Sequence, residues 1–317
     1  MNIPPWRIVF FGTPAFAVPT LNVLLEGPDQ VIGVVTQPDR KKGRGQKVGF
    51  SPVKEWASQY RAGGIPIFQP ERVKEEAFQE SLKRLVPDLF VVAAYGQILP
   101  QSLLDIPKYG AINVHASLLP KYRGAAPIAW AILRGEKATG VTIMKMDKGM
   151  DTGDILLQRD VVLGDEETSE TLHDKLASIG AQLLLETLAG MKGGTLTPIR
   201  QDHGQATYAP PLKKEDGRID WKREAREIDC QVRAFNPWPG AYSSYQGQLL
   251  KIFKGEVREG RSGEHAGSVL WVGADFIEVG TGKGSFLIRE VQLEGKRRMT
   301  LREFLAGHAI PVGAVFE

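Results

Sequence analysis

The chain has 317 residues, 40 of them lysine or arginine and 37 aspartate or glutamate, which leaves a formal net charge of +3. With 42% hydrophobic and 24% charged residues it has the balance of a folded globular protein, which excludes a disordered chain or a supercharged nucleic-acid tail. One cysteine, Cys230, excludes an intramolecular disulfide framework or a thiolate-rich metal centre, and the histidines at 115, 173, 203, 265 and 308 offer no local ligand spacing. The longest apolar run, residues 89–95, is far short of the roughly 20 residues that cross a bilayer. A cytoplasmic protein with no metal and no membrane association is expected, and its length suits one large domain or two ordinary ones.

Residues 7–11, 31–35, 65–68, 89–94, 111–114 and 141–146 are short apolar runs, mostly without alternation, as strands buried on both faces require. Between them, residues 20–26, 51–60, 71–85 and 125–134 carry helical patterns, and Ser51 before Pro52 is an N-cap followed by a first-turn proline. This alternation predicts a doubly wound, mainly parallel, Rossmann-like α/β domain over residues 1–192, closed by a helix from Ser169 to about residue 191. Residues 193–210 then turn to Gly, Thr, Pro, Gln and Asp, a linker by composition. Beyond it, a helical pattern over 224–235 and the turn Asn236-Pro237-Trp238-Pro239-Gly240 precede β-type runs at 241–245, 249–253, 268–272, 276–279 and 285–291. With a short helix at 300–307, these predict a small OB-type β-barrel domain over 211–317.

Ligands of open parallel sheets sit at the carboxyl ends of the strands. The first strand ends in Phe11-Gly12-Thr13-Pro14, without the further glycines of a dinucleotide fingerprint or the Lys-Ser/Thr pair of a phosphate loop. Gly12 reads equally well as a tight turn or as a point of ligand approach. The fifth strand runs into Asn113-Val114-His115-Ala116-Ser117-Leu118-Leu119-Pro120, then Lys121-Tyr122-Arg123-Gly124. Asn113 and His115 are two apart and so share a face of the strand. An amide donor beside an imidazole suits oxyanion stabilisation and proton handling in acyl transfer, although a histidine taken alone is more often structural. Ser117 lacks the flanking glycines of a nucleophile elbow. After the sixth strand, Met146-Asp147-Lys148-Gly149-Met150-Asp151-Thr152-Gly153-Asp154 brings three carboxylates to the same edge, where one could accept a hydrogen bond from His115 or all could serve turns. Residues 39–47 hold five positive charges against one negative, with two glycines and no apolar period, which predicts a flexible loop awaiting a polyanion.

The block Asn113-x-His115-x-Ser117-Leu118-Leu119-Pro120-x-x-Arg123-Gly124, with Asp151-Thr152-Gly153-Asp154 after it, resembles the active-site signature of the folate-dependent formyltransferases. Phe11-Gly12-Thr13-Pro14, Gln37-Pro38-Asp39-Arg40, Gly43-Arg44-Gly45, Tyr95-Gly96 and Phe235-Asn236-Pro237-Trp238-Pro239 extend the likeness along the whole chain, to the members whose acceptor is initiator methionyl-tRNA. The resemblance implies 10-formyltetrahydrofolate as cosubstrate, no metal, and a catalytic set of Asn113, His115 and Asp151. It also implies that Ser117, Leu118, Leu119 and Pro120 line the folate site, that Arg40, Lys41, Lys42, Arg44 and Lys47 meet the tRNA acceptor arm, and that the protein is a monomer. The rival acceptor class is an amino-sugar nucleotide, whose enzymes share the Asn, His and Asp. A non-catalytic RNA-binding module would keep the basic loop and barrel but would not need those three residues together.

Overall fold

A computed structural model of the chain describes residues 4–42, 47–60, 64–260 and 265–317. In chain order the first elements are β1 (Arg7–Gly12), α1 (Ala17–Glu26), β2 (Gln30–Val35), β3 (Arg40–Lys42), β4 (Lys47–Gly49), α2 (Pro52–Gln59), β5 (Ile67–Phe68) and α3 (Glu76–Arg84). Next come β6 (Leu89–Ala93), α4 (Gln101–Leu104), β7 (Ala111–His115), β8 (Arg123–Gly124), α5 (Pro127–Leu133), β9 (Ala138–Lys145), β10 (Ile155–Val162), α6 (Ser169–Gly193) and β11 (Tyr208–Ala209). The last are α7 (Ala225–Ala234), β12 (Ala241–Tyr245), β13 (Gln248–Arg258), β14 (Val269–Val272), β15 (Ile277–Gly280), β16 (Ser285–Leu293), β17 (Met299–Thr300) and α8 (Leu301–Leu305). Contacts group them into two units, Met1–Gly124 with Thr139–Val161 and His173–Tyr208, and Ala125–Ala138 with Val162–Leu172 and Ala209–Glu317.

The first unit is built on a seven-stranded sheet of order β10-β9-β7-β6-β1-β2-β5. The pairs β1–β2, β1–β6, β6–β7 and β2–β5 are parallel, and β7–β9 is antiparallel. All five residues of β6 and all but the first of β1 are buried, which explains their unbroken apolar runs. Phe11 lies 5.0 Å from Phe90 and 5.4 Å from Tyr95 by ring centroids, and burying an aromatic side chain of this size contributes about 1.5–3 kcal/mol. Helix α6 comes close to β7 at Gly180, where a Cβ would stand 2.8 Å from Val114 Cγ1. The six expected strands are present; β10 was not anticipated, because Gln158, Arg159 and Asp160 interrupt its apolar character at the edge of the sheet.

Two local expectations divide sharply. Ser51 is an N-cap as its sequence implies, its hydroxyl accepting from Lys54 N at 3.0 Å ahead of Pro52. The basic segment, by contrast, is framed by a ladder rather than being a loop throughout: Arg40 pairs with Gly49, Lys41 with Val48 and Lys42 with Lys47. Backbone pairing needs no apolar period, so composition could not reveal it. Gly43, Arg44, Gly45 and Gln46 lie outside the described residues.

Residues 193–208 are part of the first unit, where Ile199 pairs antiparallel with Ile155 and Gln201 is buried. The second unit carries an antiparallel sheet of order β12-β13-β16-β15-β14, with β17 on β16. Its core gathers Trp221, Ile228, Val232, Ile252, Phe286 and Phe316. Strand β13 extends past the expected 249–253 through Lys254-Gly255-Glu256-Val257-Arg258, whose charges alternate outward while Gly255 makes room for the Phe286 ring. Residues 313–317 hydrogen-bond to both edge strands. Gly313 N donates to Val269 O and Val269 N to Ala314 O, each at 2.8 Å, while Ser244 and Glu317 exchange two bonds of 2.9 Å.

Ser51 also shares a 2.7 Å hydroxyl contact with buried Thr36. Ser51→Ala is expected to lower the stability of the first unit by about 1–2 kcal/mol, read from its denaturant-unfolding midpoint.

Candidate active site

Strand β1 has β2 on one side and β6 on the other, so the chain reverses its direction of travel across the sheet here, and the crevice at the carboxyl ends of such strands is where ligands bind. The loops leaving β1, β2 and β6 are stitched together at this edge. Thr13 Oγ1 donates to Tyr95 O at 2.9 Å, Gln37 N donates to Thr13 Oγ1 at 3.3 Å, and Gln37 Nε2 donates to Tyr95 O at 3.3 Å. Gly12 lets the strand end pack closely against α1, since a Cβ there would lie 2.7 Å from that of Ala17. Tyr95 presents a buried hydroxyl without a hydrogen-bond partner among the described residues, and burial pushes its pKa up.

Asn113 and His115 end β7 on the same face. Asn113 is half-buried, and no hydrogen bond engages its side-chain amide among the described residues. His115 is 5% exposed, with Nε2 3.0 Å from the carbonyl oxygen of Tyr122. A carbonyl can only accept, so Nε2 carries the proton and Nδ1 is the nitrogen left for chemistry. Nδ1 lies 3.7 Å from Asp151 Oδ2, an ion-pair distance rather than the direct hydrogen bond considered from sequence. The same oxygen accepts from Gly124 N at 2.8 Å, and Asp151 has a left-handed backbone, with φ at +53°. The neighbouring carboxylate of Asp147 serves a turn, accepting from Gly149 N and Thr152 Oγ1 at 2.9 and 2.6 Å.

The segment after β7 is fixed by side chains that carried no signal in the sequence. Thr142 Oγ1 donates to Ser117 O at 2.7 Å and accepts from Leu119 N at 3.1 Å and Gln158 Nε2 at 2.9 Å. Gln158 Nε2 also donates to Leu119 O at 2.8 Å. Ser117 is fully buried and its hydroxyl donates to Lys121 O at 2.6 Å, which engages it in the loop rather than as a nucleophile. Leu118 and Pro120 are half-buried and Leu119 is buried. Gln201, in a stretch that composition marks as a linker, donates from Nε2 to the carbonyls of Asp151 and Gly153 at 2.9 and 2.7 Å.

At the basic segment, Arg40 is exposed, the backbones of Lys41, Lys42 and Lys47 lie in the β3–β4 ladder, and Arg44 falls outside the described residues. Asp39, the only acid among residues 39–47, is bonded to Lys54 Nζ, and its Oδ1 accepts from Gln69 Nε2 at 2.8 Å.

An amide unengaged among the described residues, an imidazole of fixed tautomer and a nearby carboxylate suit a reaction in which negative charge develops on oxygen while a proton moves. That chemistry belongs to enzymes that pass an acyl-type group directly to a nucleophile. Residues 6–188 match the family model described as formyl transferase, and residues 211–309 the model described as formyl transferase, C-terminal domain. A methionyl-tRNA formyltransferase from Caldanaerobacter subterraneus subsp. tengcongensis is 53% identical over 98% of this chain and 100% of its own length. Another, from Citrifermentans bemidjiense, is 52% identical over 98% of this chain and 96% of its own length. Among solved structures, WlaRD, a sugar 3N-formyl transferase, is 20% identical with a TM-score of 0.66, covering 94% of this chain and 100% of its own. HypX from Aquifex aeolicus in complex with tetrahydrofolic acid is 19% identical with a TM-score of 0.63, covering 98% of this chain and 50% of its own. These two likenesses speak to the fold. The chain belongs to the formyl transferase family, in its methionyl-tRNA formyltransferase branch.

Thr142→Val removes a hydroxyl on which three hydrogen bonds converge, two of them from the loop. It is expected to destabilise the 117–122 segment by about 1–3 kcal/mol, seen as faster amide hydrogen exchange there than in the rest of the first unit.

Proposed function

We propose that the chain transfers the formyl group of 10-formyltetrahydrofolate to the α-amino group of initiator methionyl-tRNA, as a monomer in the cytoplasm. The observation that carries the reading is the His115 imidazole, anchored at Nε2 by Tyr122 O, with Nδ1 beside Asp151 and the unengaged Asn113 amide on the same face. The free amine attacks the formyl carbon, forming a C–N bond and a tetrahedral oxyanion. Asn113 and the Nδ1–H of a protonated His115 donate to that oxyanion, and Asp151 stabilises the imidazolium and helps accept the proton lost by the amine. Collapse breaks the bond to N10 of the folate, which leaves as tetrahydrofolate after taking up a proton. No covalent enzyme intermediate is required, in keeping with the engagement of Ser117 inside its loop.

Ser117, Leu118, Leu119 and Pro120 line the folate site in this reading, their rigidity coming from Thr142 and Gln158. Arg40, Lys41, Lys42, Arg44 and Lys47 bind the acceptor arm; with Asp39 paired to Lys54, their charge is available to phosphates. We read residues 1–192 as the catalytic domain, 193–210 as the linker and 211–317 as an OB-type tRNA-binding domain. The bonds from residues 313–317 to both edge strands support the barrel assignment.

The deciding experiment mixes the protein with 10-formyltetrahydrofolate and methionyl-tRNA, initiator or elongator, across a salt series. Formyl transfer to the initiator species that weakens as salt rises is expected; transfer to an amino-sugar nucleotide instead, or folate turnover without an acceptor, would overturn the assignment. In single-turnover measurements, Asn113→Ala, His115→Ala and Asp151→Ala should each slow the chemical step by about 10²–10³ while leaving folate affinity nearly unchanged. Arg44→Leu should lower kcat/KM for the tRNA with little change in KM for the folate; equal losses for both substrates would make the segment a support for the fold.

A further inference from the structure

Gln201 and Arg123 lie outside the set that touches the reacting atoms, yet their bonds converge on Asp151. Arg123 is 2% exposed, and neither side chain that its guanidinium meets is a carboxylate: Nε and one terminal nitrogen donate to Gln201 Oε1 at 3.2 and 2.6 Å, and that nitrogen lies 3.1 Å from His203 Nδ1. An arginine can only donate, so it fixes the otherwise ambiguous direction of the Gln201 amide, oxygen toward the guanidinium and nitrogen toward the acidic loop. Both hydrogens of that nitrogen then meet acceptors, the carbonyls of Asp151 and Gly153. From the other side, Gly124 N, next in sequence to Arg123, donates to the Asp151 carboxylate. Asp151 has a left-handed backbone, uncommon for a residue with a side chain, and Gly153 packs so closely that a Cβ there would fall 1.9 Å from Lys145 O.

We propose that Gln201, oriented by Arg123, is a positioning residue for formyl transfer: its amide clamps the backbone of residues 151–153 so that the Asp151 carboxylate stays beside His115 Nδ1. The proposal rests on the reading that Asp151 belongs to the catalytic set. Its force lies in direction, since the clamp grips the carbonyls of the loop and leaves the carboxylate to Gly124 and His115.

Gln201→Glu separates positioning from folding. The glutamate keeps an acceptor for Arg123, now as an ion pair, but has no N–H for the two carbonyls. The variant should melt within about 4 °C of the parent, lower single-turnover kcat about 10–100-fold, and leave KM for the folate within about threefold. Placed on Asp151→Asn, it should slow the reaction by less than about twofold more, because a residue that acts through Asp151 has nothing left to position. A normal rate for Asp151→Asn alone would sink the catalytic reading itself. With Asp151→Asn slow, a normal rate for Gln201→Glu, or the same fold loss in both backgrounds, would overturn the positioning role. If Gln201→Glu fails to fold, Gln201→Met, similar in volume and also without the donor, carries the same comparison.

Discussion

The hydrogen bond between His115 Nε2 and the Tyr122 carbonyl decides which imidazole nitrogen carries the proton, and much of the first unit is arranged around it. For the bond to form, the chain after β7 must turn back within seven residues, and the turn is held where Thr142 and Gln158 of neighbouring strands capture its backbone. The parallel ladder through β1, β6 and β7 supplies the fixed base. The antiparallel β9 pairs His115 with Thr142 in register, so the strand carrying the imidazole also brings in the hydroxyl that fixes its partner loop. Sheet register and side-chain tautomer are thus parts of one arrangement.

Electrostatics follow a similar economy of placement. The chain carries only +3 overall, while residues 39–47 alone carry +4, so the remainder is close to neutral. The acid within that segment is turned toward Lys54 and Gln69 at its base, and Arg40 is left exposed. A small total charge therefore conceals a local field at one edge, where an approaching polyanion would sense it within a Debye length of roughly 8–10 Å.

Much of this was legible in the sequence where a residue type has a single physical use. Runs such as Leu89-Phe90-Val91-Val92-Ala93 can only be buried strands, Ser51-Pro52 can only begin a helix well, and Asn113 with His115 at a strand end puts an amide beside an imidazole. What escaped reading depends on backbone acceptors, which every residue has. The β3–β4 ladder, the charged second half of β13 and β10 with its Gln158-Arg159-Asp160 interior are formed by main-chain bonds that composition does not record. Gln201 escaped for the same reason: both its donors end on carbonyls, in a stretch whose Thr, Pro and Gln content looks like a connector. Asp151 was found through the resemblance, and its ion-pair distance to His115 emerged only from the fold.

The bond from Arg123 to Gln201 spans 78 residues of sequence, and that from Gln201 to Asp151 spans 50. The ladder between β1 and β6, with Ile8 against Leu89, closes a loop as long, so the acidic loop differs not in reach but in its attachment, by hydrogen bonds from Gln201 and Gly124 N rather than by a buried strand pairing. A segment attached by a few hydrogen bonds opens on warming before a buried sheet does. The acidic loop is thus a part of the first unit that can loosen while the central sheet stays intact.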